Sequence, residues 1–440
     1  MFEKKILFAG LIAYAVSIYW DMLSRSLSAR LTRFRYRKHL NELAKPHADE
    51  QQRNIVIIGA AFAGYHAARL LAASLPPDGR YKIVVVEPNS HFNFTWVLPR
   101  FCVVEGHEHK AFIPYGHYFK GLVSEKYVRW VRDSVASMGR SSVRLRDSGE
   151  EVPYEYLIIA TGSGQGAQLP SRVGSEDKAE GTKLLRGVQS RIASAKKVVV
   201  VGGGAAGVEL AADTKAKYPE KTIVLVHSRQ AVMHRFGKEL QEAALNGLEE
   251  LGVEVILGER VMDEETENGV LTLASGRKVD CDYMLNCTGQ QPASGLFAEL
   301  SPNTISETGH IRVKPTLQVA DDSLPNVYAC GDVAHTGTQN PNARSATKQA
   351  MVAADNIILA VQGKQPRHVY KPYWADGIIQ LTLGLVKSVI HYHDGKTGLL
   401  FTTKEEGVDL MAERAWTNMG AEPFVDGSEP EGSMDIMLKN

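Results

Sequence analysis

Two glycine-rich runs carry the clearest chemical potential in this sequence. The first, Gly59-Ala60-Ala61-Phe62-Ala63-Gly64, follows directly on the apolar, β-branched stretch 54–58 and leads into a helical pattern at 65–73. A further apolar strand at 82–86 ends on Glu87. In a strand–turn–helix–strand unit of this kind the first glycine makes the tight turn and the last lets helix and strand pack closely. The helix N-terminus receives a pyrophosphate, and the acid at the next strand end accepts hydrogen bonds from ribose hydroxyls. Gly59, Gly64 and Glu87 are therefore candidate dinucleotide ligands. Ala61 stands where the fingerprint has its middle glycine and slightly crowds the pyrophosphate. A βαβ crossover that binds nothing is the plain alternative.

The second run, Gly202-Gly203-Gly204-Ala205-Ala206-Gly207, is an intact G-x-G-x-x-G. It follows the strand 197–201 and opens a helix at 208–212. The next strand, 222–226, ends in His227-Ser228-Arg229, with no carboxylate at that position. An acid would repel a 2′-phosphate, whereas an arginine accommodates one, so this cradle is compatible with NADPH. His227 and Arg229 as solvated turn residues is the competing reading. The layout written twice is an internal repeat and implies two dinucleotides. A flavin (FAD) and a nicotinamide (NAD(P)H) are the economical pair, because a hydride passes between stacked rings.

These turns require buried parallel strands to carry them. Strands ending at Thr161-Gly162 and Thr288-Gly289 close the two nucleotide-binding units, and 326–330 runs into Gly331-Asp332, where the Asp can hydrogen-bond a flavin ribityl chain. The fold expected is α/β, with two doubly wound Rossmann-type domains and a small α+β C-terminal region.

The 440 residues, 44% hydrophobic and 23% charged, exclude collagen, coiled coil, low-complexity disorder and a polytopic membrane protein. Lys plus Arg and Asp plus Glu balance at 50 each, but residues 1–45 carry nine basic against three acidic side chains. A basic arm thus sits on a mildly acidic body, which argues against nucleic acid as a partner. Four cysteines without a C-x-x-C suit a reducing compartment. They also remove dithiol reductase chemistry, leaving single-cysteine chemistry at Cys102 as a minor alternative. His107-Glu108-His109 and His391-Tyr392-His393 read as loop and strand-face residues rather than metal ligands, and no metal is expected.

Within the arm, 6–20 is uncharged and mostly apolar but short for the roughly 30 Å hydrocarbon core of a bilayer. Leu23, Leu27, Leu31 and Phe34 continue on one helical face. A single signal anchor with a juxtamembrane basic helix, its body facing the cytosol, is the first reading. A mitochondrial-type leader, a cleaved secretory signal and a helix packed on the body are the others.

Taken together, these residues resemble the two-dinucleotide-binding-domain flavoproteins of the pyridine nucleotide-disulfide oxidoreductase class, and within it the apoptosis-inducing-factor-like branch. The most specific stretch is 201–212, continued by Lys217-Tyr218-Pro219-Glu220-Lys221 and Val226-His227-Ser228, with Tyr370-Lys371-Pro372 and Ala415-Trp416 later on. The resemblance spans about residues 54–420 and leaves the N-terminal arm outside. It implies an FAD enzyme that oxidises NAD(P)H and passes electrons to a quinone at a membrane. On that basis 1–45 is an anchor or targeting arm, 54–165 and 290–345 form the FAD domain, 166–289 is an inserted NAD(P)H domain, and 346–440 is the C-terminal region. Gly59, Gly64, Glu87, Thr161, Gly162, Gly331 and Asp332 would hold FAD; Gly202, Gly204, Gly207 and Gly289 would hold the nicotinamide nucleotide. Glu209 would lie where nicotinamide meets flavin and orient the amide, unless it is only an acid favourable to the helix dipole. Arg100 is either near the flavin or in a surface ion pair. Tyr373, Trp374, Leu381, Leu383 and Leu385 line a quinone channel or belong to the core. Position 2 is Phe, which rules out the N-myristoylation available to this branch. Two other functions stand beside this one: a flavin enzyme acting on a dedicated small molecule in a specialised pathway, and a death effector.

Overall fold

A computed structural model describes residues 2–37, 52–76, 78–122, 127–164, 168–262, 269–405 and 407–426. Most of the linker expected at 41–53 lies outside these.

The β-branched runs form two parallel sheets. The first has the order Val327–Ala329, Tyr156–Ile159, Arg53–Ile58, Tyr81–Val86, Val128–Val131, with every neighbouring pair parallel. The second has the order Glu254–Leu257, Thr222–His227, Lys197–Val201, Tyr283–Asn286, again all parallel. Strands covered on both faces need apolar side chains at successive positions, which explains why Ile55, Val56 and Ile57 are all fully buried. The strand Val327–Ala329 rejoins the first sheet after the chain has completed the second, so the second unit is inserted into the first.

In the first sheet the chain moves from Arg53–Ile58 to Tyr81–Val86 on one side and later returns to Tyr156–Ile159 on the other. That reversal is a topological switch point, where a crevice opens beyond the carboxyl ends of the strands. A small antiparallel sheet, Val135–Met138, Ser142–Leu145 and Glu151–Pro153, precedes the return. The helix Phe62–Ser74 packs on the helix Ala343–Val361. Both present small buried residues, Ala67, Ala68 and Ala72 against Ala346, Ala350 and Ala353, which permit close approach. The second helix starts at a capping box in which Asn342 Oδ1 accepts from Arg344 N (2.9 Å) and Ser345 N (3.2 Å). The C-terminal region adds an antiparallel sheet, Ile379–Thr382, Lys387–His393 and Gly398–Lys404.

The arm is one continuous helix, Phe2–Arg37. Leu7 and Tyr14 on one face are buried, whereas Phe8, Ile12, Val16, Trp20, Leu23 and Leu27 are exposed. The buried face docks on the body. Tyr14 donates its hydroxyl to Asp376 Oδ1 (2.7 Å) and stacks on Tyr373 at 5.5 Å between centroids, and Lys348 pairs with Asp376 at 2.6 Å. Among the described residues no helix is long and apolar enough to cross a membrane. The expectation of a spanning anchor is corrected accordingly: part of the apolar surface assigned to lipid is turned onto the protein instead.

Candidate active site

Because all strands of each sheet run parallel, their carboxyl ends meet at one edge. In the first sheet that edge carries Gly59, Glu87, Thr161-Gly162 and Gly331-Asp332, each following a different strand. Gly59 has φ +89°, and a Cβ there would lie 2.6 Å from Ala160 O. A Cβ on Gly64 would lie 1.8 Å from Gly59 O, so the helix can cross the turn only with glycine at that position. Glu87 is buried; its Oε2 accepts from Ala60 N (2.5 Å), and its Oε1 from Asn89 N (2.9 Å) and Asn89 Nδ2 (2.6 Å). Burial pushes its carboxyl above the ordinary range, while the donors from Ala60 and Asn89 oppose that. Gly331 donates its N–H to Gln349 Oε1 (2.8 Å), and a Cβ on it would meet Ala63 at 3.1 Å, so it sits at the start of the same helix. Asp332 Oδ2 accepts from Ser163 Oγ at 3.2 Å.

The second cradle repeats the first in backbone detail. Gly202 has φ +115°, and a Cβ on Gly207 would lie 1.9 Å from Gly202 O. Gly204 faces open space. His227 occupies the place of Glu87: its Nδ1 accepts from Gly203 N at 3.0 Å. The helices Phe62–Ser74 and Ala205–Lys217 begin at Ala61 and Gly204 without a side-chain cap, leaving their first N–H groups to a ligand anion. The two crossover segments are tied together. Thr161 Oγ1 donates to Ala293 O (2.7 Å), Ala293 N to Gly162 O (2.9 Å), and Gly164 N to Gln291 O (2.9 Å), which brings Gly162 close to the segment that follows Gly289.

The helix of the second cradle carries a polar cluster that reaches Arg100 and the C-terminal region. Arg100 is 1% exposed, so the surface ion pair is not what forms; its Nε donates to Asp213 Oδ2 at 2.7 Å and its Nη2 to Gly384 O at 3.1 Å. Arg100 Nη1 and Asp213 Oδ1 have no hydrogen-bond partner among the described residues. Glu209, one helical turn before Asp213, accepts from Thr382 N at 3.1 Å. Burial drives its carboxyl up to about 8, with the Asp213 charge adding to the rise and Thr382 N and Arg100 opposing it. Asp213 is raised to about 6 by burial, against the pull of Arg100. The sequence pointed to Arg100 and Glu209 but not to Asp213 or Thr382. The i, i+4 spacing of Glu209 and Asp213 placed both on one helix face and was the available signal.

Other candidates fall elsewhere. Leu381 and Leu383 are core residues, Leu385 is half-buried, and Tyr373 and Trp374 lie against the N-terminal helix. Cys102 is buried and free, and burial pushes its thiol well above the ordinary range, which disfavours a reactive thiolate. His107 pairs with Asp409, and His391 faces Glu239 at 3.7 Å. No group of three potential metal ligands occurs among the described residues.

Two cradles closed by the same glycine geometry, each with an uncapped helix start, fit two dinucleotides. The model of the family described as pyridine nucleotide-disulphide oxidoreductase matches residues 53–357, which include both. The chain belongs to this family. As an oxidoreductase of this family it uses FAD together with NAD(P)H. Among its relatives, Fe-regulated protein 8 of Mycosarcoma maydis is 32% identical over 404 residues, covering 84% of this chain and 96% of that protein. Ferroptosis suppressor protein 1 of Xenopus tropicalis is 31% identical over 387 residues, covering 84% and 97%. The solved structure of an NAD-dependent persulfide reductase from A. fulgidus superposes with a TM-score of 0.60 at 24% identity. That alignment covers 77% of this chain but only 64% of the reductase, and it supports the fold alone.

Proposed function

We propose that this oxidoreductase passes two electrons from NAD(P)H to a quinone-type acceptor at a membrane surface. The observation that carries the proposal is the path of one segment. Tyr373 and Trp374 pack against the docked N-terminal helix, and the strand that follows, Ile379–Thr382, ends with its backbone on half-buried Glu209. A single stretch of chain therefore connects the apolar arm to the helix of the second cradle.

In this reading Gly59, Ala61, Gly64, Glu87, Thr161, Gly162, Gly331 and Asp332 hold FAD, and Gly202, Gly204, Gly207 and Gly289 hold the nicotinamide nucleotide. FAD, when bound, supplies the two-electron relay between donor and acceptor. Reducing a quinone to a hydroquinone takes two electrons and two protons, of which a hydride accounts for both electrons and one proton. Glu209, its carboxyl raised to about 8, is placed to hold the second proton at neutral pH. Arg100 and Asp213 fix the helix that carries Glu209 against the segment ending at Gly384. The exposed stripe of Phe8, Ile12, Val16, Trp20, Leu23 and Leu27 rests in the plane of the membrane interface instead of spanning it.

The test is steady-state NAD(P)H oxidation with a long-chain quinone embedded in anionic vesicles. Turnover that exceeds the vesicle-free rate, and falls when the arm is removed, supports the reading. Turnover indifferent to both quinone and vesicles refutes it.

A further inference from the structure

We infer that the second cradle is built to take NADPH, with the 2′-phosphate of its adenosine ribose received by Arg229 and His234 and by the neighbouring Arg235. This rests on the assignment of the second cradle to the nicotinamide nucleotide.

The two equivalent strand ends carry different chemistry. Glu87 and His227 each close the second strand of their unit, and each accepts a hydrogen bond from the second residue of the glycine turn, Ala60 and Gly203 respectively. In the first cradle the acceptor is a carboxylate, which suits a ribose diol and repels a phosphate. In the second it is an imidazole, and the repulsion is gone. With Nδ1 accepting from Gly203, the ring proton of His227 is on Nε2, which faces His234 Nδ1 at 3.3 Å. His234 then carries its own proton on Nε2 and offers it outward.

The loop holding these groups is fixed beside the turn. Met233 N donates to Gly203 O at 2.7 Å, and a Cβ on Gly203 would meet the His227 ring at 2.8 Å and Val232 Cγ1 at 3.0 Å. Arg229, His234 and Arg235 are exposed, and among the described residues neither arginine is paired with a carboxylate. Their charges converge on the imidazoles. After burial, His234 and Arg229 pull His227 below the ordinary range, and Arg235 and Arg229 do the same to His234. Glu259, whose N–H donates to His227 O, directs Oε2 to Ser275 N. Two arginines without a carboxylate partner among the described residues, and an imidazole N–H donor beside them, at the strand end of a nucleotide cradle that lacks its acid, are what a 2′-phosphate requires.

Calorimetric titration of the full-length flavoprotein with 2′,5′-ADP and with 5′-AMP tests this, alongside flavin reduction by NADH. Tighter binding of 2′,5′-ADP by about 10-fold or more at low salt is expected. Arg229→Ala combined with His234→Ala should abolish the difference, and His227→Glu should reverse it. Equal affinities in the parent protein, or a difference that survives the double substitution, would overturn the inference while flavin reduction by NADH leaves the proposed function standing. If neither nucleotide binds and NADH does not reduce the flavin, the assignment of the second cradle fails and the inference with it.

Discussion

Arg100 and Asp213 meet in the interior, Nε to Oδ2 at 2.7 Å, with neither side chain more than 1% exposed. The pair joins the short helix Leu98–Phe101 to the helix of the second cradle, and Arg100 reaches on to Gly384 in the C-terminal region. Removing one partner leaves the other charge buried. Arg100→Met is expected to lower stability by about 3–5 kcal/mol, and adding Asp213→Asn to restore a large part of it. Urea denaturation of the two variants and their parent measures both effects.

Glu209 gives stability a pH dependence of defined sign. Its carboxyl moves from an ordinary 4.5 to about 8 on folding, so the native state binds the extra proton between those values. Stability contributed by the protonated form is complete at low pH and is lost as pH rises from about 4.5 to about 8. Glu209→Gln removes this slope, on the order of a few kcal/mol across the window. Melting temperatures at pH 5 and pH 8 should therefore differ less in the variant. The kcat profile with quinone should also lose its fall near pH 8.

The glycines of the second cradle are not equivalent. Gly207→Ala forces a Cβ to within 1.9 Å of Gly202 O, whereas Gly204→Ala meets nothing. Gly207→Ala should weaken NAD(P)H binding by at least about 10-fold while the flavin is retained. Gly204→Ala should fold normally and weaken it only modestly, because Ala61 already stands at the same position of the first cradle. Equilibrium titration monitored by nicotinamide fluorescence distinguishes the two.

The arm separates docking from membrane contact by helix face. Val16→Glu with Trp20→Glu alters exposed positions and should abolish co-sedimentation with anionic vesicles without shifting the melting temperature. Tyr14→Phe removes the hydrogen bond to Asp376 and should cost about 1 kcal/mol while leaving vesicle binding intact.

The strands, both glycine turns and the acid at Glu87 were legible in the sequence because each follows from local pattern. Continuous β-branched runs, a glycine at a positive φ and a polar strand end report on their immediate neighbours. Asp213 and Thr382 were not legible, since their roles depend on Arg100 and Glu209, which lie more than a hundred residues away in the chain. The arm misled for a related reason. Its apolar content was visible, but only the meeting of Tyr14 with Asp376 shows that one face belongs to the protein.

Anaerobic spectroscopy of the purified holoprotein tests the central claim most directly. The expected result is a bound flavin whose absorption is bleached by NAD(P)H and restored by a quinone without oxygen. A protein that takes up no flavin, or whose bleached flavin no quinone restores, would contradict it.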